Sequence, residues 1–210
     1  MPTAPITMEG MSQDVVDFIK ALDLDEKPNL LGWSMGGMIT LTTAALRGDA
    51  INRAVVISGS PGSPASALPH ADVLSAFSGN VINAETFLNM STPIVNSASR
   101  QFACDHWYQL LIDEDIPVNA TTMSRQFQAM VEYFTMDNLV DSNLGNITID
   151  ILMVGGDLDP VVPVQGLRRA ATLIPHPWLV IYPNAAHHVA FQYADSFLTL
   201  LSNFLTFENY

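Results

Sequence analysis

Four short apolar runs limit what this chain can fold into. Residues 29–33, 54–58, 149–154 and 178–182 are each about strand length and apolar along their whole extent, and they are separated by segments of helical periodicity. A strand that is apolar on both faces must be covered on both faces, and covered strands joined by helices form a parallel sheet. The expected class is therefore α/β, a doubly wound, mostly parallel sheet. The helices between the strands follow the 3.6-residue repeat. One is expected over 8–22, capped by Thr7 or Ser12, with Met11, Val15, Phe18, Ile19 and Leu22 on its buried face. Others are expected over 34–46, with Gly48 at the stop, over 164–174, and over 191–207 with Phe197, Leu200, Leu201, Phe204 and Leu205 facing inward.

Residues 61–145 break this rhythm. They open on Pro61-Gly62-Ser63-Pro64, a loop composition, and continue with helical patterns over 85–90, 98–112 and 122–134 without a convincing strand. The expected organisation is a core made of residues 1–60 and 146–210, with 61–145 inserted as a helical cap or lid over the sheet.

Composition narrows the function. Eight basic against twenty-one acidic residues give a net charge of −13, which leaves no basic stripe for phosphate and excludes nucleic acid as a partner. Although 49% of the residues are hydrophobic, no apolar run approaches the roughly 20 residues of a membrane span. A single cysteine, Cys104, excludes an internal disulfide and any multi-cysteine zinc site, and it is expected to act as a small buried hydrophobe. The acidic cluster Asp113-Glu114-Asp115 lacks calcium-loop spacing, and no glycine-rich phosphate loop is present. Neither metal nor cofactor is expected. The first residues carry no basic segment followed by an apolar one, so a cytoplasmic location is the expectation. The sequons at Asn89, Asn119 and Asn146 then have no consequence.

The chemistry gathers where strands end. Gly32-Trp33-Ser34-Met35-Gly36 joins an apolar strand to a helix, the setting of a nucleophile elbow. A serine on such a strained turn is crowded by the residues two positions away on either side, which predicts glycine at both. The amide of Met35, at the start of the helix, is placed to meet a developing oxyanion. Trp33 and Met35 are also candidates to line a substrate site, whereas most methionines are expected in the core. A serine hydroxyl needs a base, and the base needs an orienting carboxylate. Gly156-Asp157-Leu158-Asp159-Pro160 follows the third run and Ala185-Ala186-His187-His188 the fourth. Asp159 is the preferred acid with Asp157 in reserve, and His187 the preferred base with His188 in reserve. His70, His106 and His176 lack this placement and are read as surface or ordinary hydrogen-bonding residues.

Together the segments Gly32-Trp33-Ser34-Met35-Gly36-Gly37, Gly156-Asp157-Leu158-Asp159-Pro160-Val161-Val162-Pro163 and Ala186-His187 resemble the nucleophile, acid and histidine segments of the α/β-hydrolase family, most closely its esterase, enol-lactonase and cofactor-free haloperoxidase-like branch. The resemblance implies a sheet of the α/β-hydrolase type under a variable helical cap. It implies a Ser34-His187-Asp159 triad acting on a small ester or lactone, with the Met35 amide as half of the oxyanion hole. Asp159 is favoured because the family's acid stands four residues before a proline. Ala186 takes the place of the family's usual glycine. Family members carry further strands and a His-Gly loop ahead of the helix at residues 8–22, and the 28 residues before the first run hold no strand pattern. The expectation is therefore an N-terminally truncated sheet whose exposed edge favours self-association into a homo-oligomer. Two further readings stay open from the residues: a catalytically silent binding or regulatory protein, and an incomplete fragment.

Overall fold

Residues 5–78, 84–92, 97–105 and 119–207 are described by the structure, a computed structural model. Each of the four apolar runs forms a strand: β1 (Leu30–Trp33), β2 (Arg53–Ile57), β3 (Asp150–Gly156) and β4 (Pro177–Tyr182). They pair in parallel in the order β1-β2-β3-β4, with Gly32 opposite Val56, Val56 opposite Met153, and Gly155 opposite Ile181. The helices are α1 (Met8–Ala21), α2 (Met35–Arg47), α3 (Ala71–Ser78), α4 (Ala84–Ser91), α5 (Ser97–Ala103), α6 (Ala120–Thr135), α7 (Leu139–Asn143), α8 (Gln165–Leu173), α9 (Val189–Gln192) and α10 (Ala194–Thr206).

Spatial order equals chain order, so every crossover steps in the same direction. Because strand-to-parallel-strand crossovers are right-handed, all of them must fall on one face of the sheet. Packing agrees. Ala54, Val56, Ile151 and Met153 point to one side, where they meet Met38 and Leu41 of α2, Phe134 of α6, Val140 of α7 and Leu167 of α8. Val55, Ile57, Leu152 and Val154 point to the other, where Phe197 and Phe204 of α10 cover them. That second face thus depends on a helix after the last strand. The C-terminal end of α10 is held by Arg53 at the start of β2. Its guanidinium donates to the carbonyl oxygens of Phe204 (3.0 Å), Leu205 and Phe207 and lies 3.4 Å from the Asp150 carboxylate. The last carbonyls of a helix have no partner within it, and a cation there also meets the negative end of the helix dipole.

Three expectations need correction. On α1, Thr7 is the cap, its hydroxyl accepting from Gly10 N–H at 3.0 Å, and Met11 and Ile19 of the expected face pack half-buried against the core, but the fully buried stripe is Met8, Ser12 and Val16. Phe18 and Leu22 are 64% and 47% exposed. The cause is polar: the buried hydroxyls of Ser12 and Thr43 hydrogen-bond at 2.9 Å, and this turns α1 so that its small serine faces α2. The helical pattern over 191–207 is divided, because Tyr193 takes a non-helical ψ of 43° between α9 and α10. Cys104 is half-buried rather than buried.

Between β2 and β3 the described residues hold α3 to α7 and no strand. Asn119 opens α6 by accepting from the amides of Thr121 and Thr122 at 3.0 and 3.2 Å. The part of the expected 98–112 helix from residue 106 on lies outside the described residues, as do His106 and Asp113-Glu114-Asp115. No described helix is long and apolar enough to cross a membrane. On its open side β1 has no neighbour among the described residues, and Leu31, which points to the α10 face, is 49% exposed.

Since Phe204 is 1% exposed at the centre of the α10 face, Phe204→Ala should cost about 3–5 kcal/mol. The drop would appear in the urea midpoint with little change in slope.

Candidate active site

The turn between β1 and α2 is built around Ser34, which adopts φ 57° and ψ −122°, a conformation that side chains rarely take. It is pinned on both sides: its N–H donates to the Ile57 carbonyl at 2.9 Å, and its own carbonyl accepts from Met38 N–H at 3.0 Å. At Gly32 a Cβ would lie 2.1 Å from the Gly36 carbonyl oxygen, so glycine is obligatory there. The matching expectation at Gly36 does not hold, since a Cβ there would meet nothing within 4 Å. The crowded position is Gly37, where it would approach the Ile57 carbonyl oxygen to 2.9 Å as α2 passes the end of β2. Met35 begins α2, so its N–H belongs to the first turn, which has no acceptor within the helix.

The loops after β3 and β4 extend their ladder. Asp157 N–H donates to the Tyr182 carbonyl (3.2 Å) and Leu158 N–H to that of Ala185 (2.9 Å). Only glycine permits this approach: a Cβ on Gly156 would lie 2.3 Å from the Ala185 carbonyl oxygen. Beyond it, Asp159 is turned inward and only 5% exposed, its Oδ1 accepting from the amides of Val161 (2.8 Å) and Val162 (2.9 Å). Asp157, the reserve acid, is exposed.

His187, 2% exposed, joins the loops. Its Nδ1 lies 2.9 Å from Asp159 Oδ2 and its Nε2 2.8 Å from Ser34 Oγ. A carboxylate only accepts, so Nδ1 carries the hydrogen and donates to Asp159, which leaves Nε2 to accept the Ser34 hydroxyl proton. The backbone of this histidine is held as firmly as its ring. Its carbonyl accepts from the Trp33 indole N–H at 2.9 Å and from the Ser58 hydroxyl at 3.1 Å. The Trp33 ring lies 5.1 Å from the imidazoles of both His187 and His188. His70 and His176 are exposed.

A cavity of about 380 Å³ opens beside Ser34 and Met35. Val161 and Val162 line it next to Asp159, while Val73, Leu74 and Phe77 of α3 and Met123, Phe127 and Met130 of α6 line it from the β2–β3 connection. Phe77 and Phe127, both lining it, stack with ring centroids 6.1 Å and planes 4° apart. Trp33 is not among the lining residues, being turned to the histidine loop.

The sequence pattern of the alpha/beta hydrolase fold matches residues 5–193. The chain belongs to the α/β-hydrolase family. Among curated proteins it is 22% identical to a 2-hydroxy-6-oxo-6-(2'-aminophenyl)hexa-2,4-dienoic acid hydrolase of Metapseudomonas resinovorans, over 98% of this chain and 69% of that protein. It is 23% identical to a pimeloyl-[acyl-carrier protein] methyl ester esterase of Aliivibrio salmonicida, over 88% of this chain and 70% of that protein. Among solved structures, the enol-lactonase of Burkholderia xenovorans shares the fold with a TM-score of 0.76 at 21% identity, over 98% of this chain and 75% of that one.

Within this α/β-hydrolase, sequence reasoning missed Ser58 and the cavity walls. Ser58 stands immediately after β2, the same post-strand position as Ser34, and with φ 46° it sits in the left-handed region. Position alone could have flagged it. Met123, Phe127 and Met130 are spaced i, i+4, i+7 on α6, which marks a helical stripe but not whether it faces core or cavity.

His188, next in the chain to His187, has a displaced pKa. Burial pushes its pKa down from an ordinary 6.5 to about 4; the neighbouring His187 pushes the same way and Asp159 opposes. Between those two values the unfolded chain binds the extra proton and the folded chain does not. The stability contributed by neutral His188 is therefore complete above pH 6.5 and is lost as pH falls toward 4. In His188→Gln, chemical-denaturation midpoints measured from pH 7 down to 4 should fall less steeply than those of the wild type.

Proposed function

We propose that this α/β-hydrolase cleaves small esters or lactones through Ser34, His187 and Asp159. The observation that carries the reading is His187, bonded on one ring nitrogen to a buried carboxylate and on the other to a serine on a strained turn. In the proposed reaction, Ser34 Oγ bonds to the ester carbonyl carbon as His187 Nε2 takes its proton. The carbonyl electrons move onto oxygen, which the Met35 amide stabilises, and Asp159 holds the imidazolium. Collapse expels the alcohol, protonated by His187, and leaves an acyl-serine. Water, deprotonated by the same nitrogen, then releases the acid and restores the hydroxyl. Residues 61–145 act as a cap over the core of 1–60 and 146–210, with α3 and α6 roofing the reacting carbonyl. Kinship with proteins named as an esterase and an enol-lactonase supports ester or lactone chemistry.

A fluorophosphonate probe should label the wild type on Ser34 and fail to label Ser34→Ala. Asp159→Asn should lower kcat on p-nitrophenyl butyrate by roughly 10³–10⁴-fold. Equal rates for wild type and Ser34→Ala would overturn the assignment.

Trp33 and Ser58 are positioning residues in this scheme, because they hold His187 through its carbonyl. Trp33→Phe keeps a ring against the imidazoles and removes one donor. It should lower kcat about tenfold or less, the worth of one hydrogen bond, with KM nearly unchanged. Rescue by Trp33→His would point to the lost N–H rather than to packing.

The edge of β1 that has no neighbour among the described residues favours a second copy of the chain as partner, since such strand groups beside an exposed Leu31 template further pairing. Sedimentation velocity should show a dimer that Leu31→Lys weakens. A monomer at all concentrations would remove this part of the reading.

A further inference from the structure

The cavity beside Ser34 is chemically one-sided. Its walls are Met35, Val73, Leu74, Phe77, Phe127 and Met130, with polar atoms offered by Ser78, Ser124 and Gln126, and among the described residues no Lys, Arg or His side chain lines it. Several of the chain's few cations are engaged elsewhere. Arg53 is committed to α10 and Asp150, Arg169 to Asp141, Arg47 to Gln13, and Lys20 lies by Asp17. The net charge of −13 sets the surrounding field against anions. A carboxylate entering such a cavity would give up its water and meet no cationic side chain among the residues that line it; Arg125, between lining Ser124 and Gln126 on α6, is itself not a lining residue. An alkyl or aryl group would gain from every apolar atom buried, and about 380 Å³ lies within the range of small-ligand sites. The floor is fixed as well, because Val161 and Val162 hold the Asp159 carboxylate with their amides.

We propose that this cavity selects substrates by charge: it takes the uncharged apolar group of an ester and rejects esters that carry a distal carboxylate. The proposal rests on the reading of Ser34 as nucleophile only for turnover, not for binding. Methyl hexanoate and monomethyl adipate have the same acyl length and differ in a terminal carboxylate, which makes them the discriminating pair.

Two measurements are needed. Calorimetric titration of the Ser34→Ala protein, which cannot turn over, reads the cavity alone: methyl hexanoate should bind at least about 100-fold more tightly than monomethyl adipate. With wild type in a pH-stat, kcat/KM should rise about three- to fourfold per methylene in one of two series, acyl (methyl acetate to hexanoate) or alcohol (methyl to hexyl acetate). The series that rises identifies which side of the ester the cavity holds; where it is the alcohol series, hexyl acetate and 6-acetoxyhexanoate replace hexanoate and adipate as the discriminating pair in every comparison. Met123→Arg places a cation at a lining position that is 38% exposed, and so tolerant of it. It should shift the hexanoate-to-adipate ratio toward adipate at least tenfold. Equal binding of the pair, no binding of either, tighter binding of the adipate, or flat series in an active enzyme would each overturn the proposal. Selective binding by Ser34→Ala together with a wild type that neither labels nor turns over would sustain the cavity assignment and refute the hydrolase reading.

Discussion

The carbonyl of Ala185 passes so close to Gly156 that no side chain fits between them, and the site depends on that approach. It lets the β3 and β4 loops continue hydrogen bonding past the end of the sheet, through Asp157 to Tyr182 and Leu158 to Ala185. Two loops that would otherwise splay apart are thereby locked in register. Asp159 and His187, each a few residues beyond the lock, emerge at bonding distance with nothing left to search for. A second close contact, Gly37 against the Ile57 carbonyl, does the same for Ser34 by pressing the start of α2 onto the end of β2. The three side chains are brought together by backbone packing, and their own hydrogen bonds refine an arrangement the main chain has already made.

Strand order then decides what stands above that arrangement. With the strands in chain order and all crossovers right-handed, the long β2–β3 connection has to run over the face that α2 occupies. It returns to the core through Tyr133, Phe134, Val140 and Leu144. Tyr133 is buried, its hydroxyl donating to the Ser60 carbonyl at 3.2 Å, and burial holds its pKa well above the ordinary tyrosine value. Helices α3 and α6 are consequently tied down on the serine's side of the sheet. The opposite face is left to the chain beyond β4, which explains why α10 is both so apolar and so firmly anchored by Arg53.

Much of this was legible in the sequence. Continuous apolar runs located all four strands: the central β2 and β3 are buried on both faces and have no polar period to obscure them, and the half-buried β1 and β4 keep the same apolar composition. The chain order of Ser34, Asp159 and His187, each just beyond a strand, singled out the three residues that the structure brings to hydrogen-bonding distance. The features that stayed hidden depend on tertiary contact. The rotation of α1 comes from one hydroxyl pair between Ser12 and Thr43, and a serine and a threonine 31 residues apart leave no mark on a hydrophobic pattern. Gly36 and Gly37 look alike on paper, and only the path of α2 past β2 distinguishes the crowded one. The split at Tyr193 and the half-buried Cys104 have the same character: local periodicity is correct on average and silent about where a neighbour stops it.

Val161 and Val162 serve two parts of the molecule at once. Their amides hold the Asp159 carboxylate while their side chains form the cavity floor. A change of floor shape that moves this turn would tilt the Asp159 carboxylate with it, whereas the amides that hold that carboxylate belong to neither α3 nor α6. Evolution and engineering therefore meet an uneven terrain here. The side chains of α3 and α6 can change the shape of the cavity without disturbing that carboxylate, and the Val161–Val162 turn is constrained by its second task.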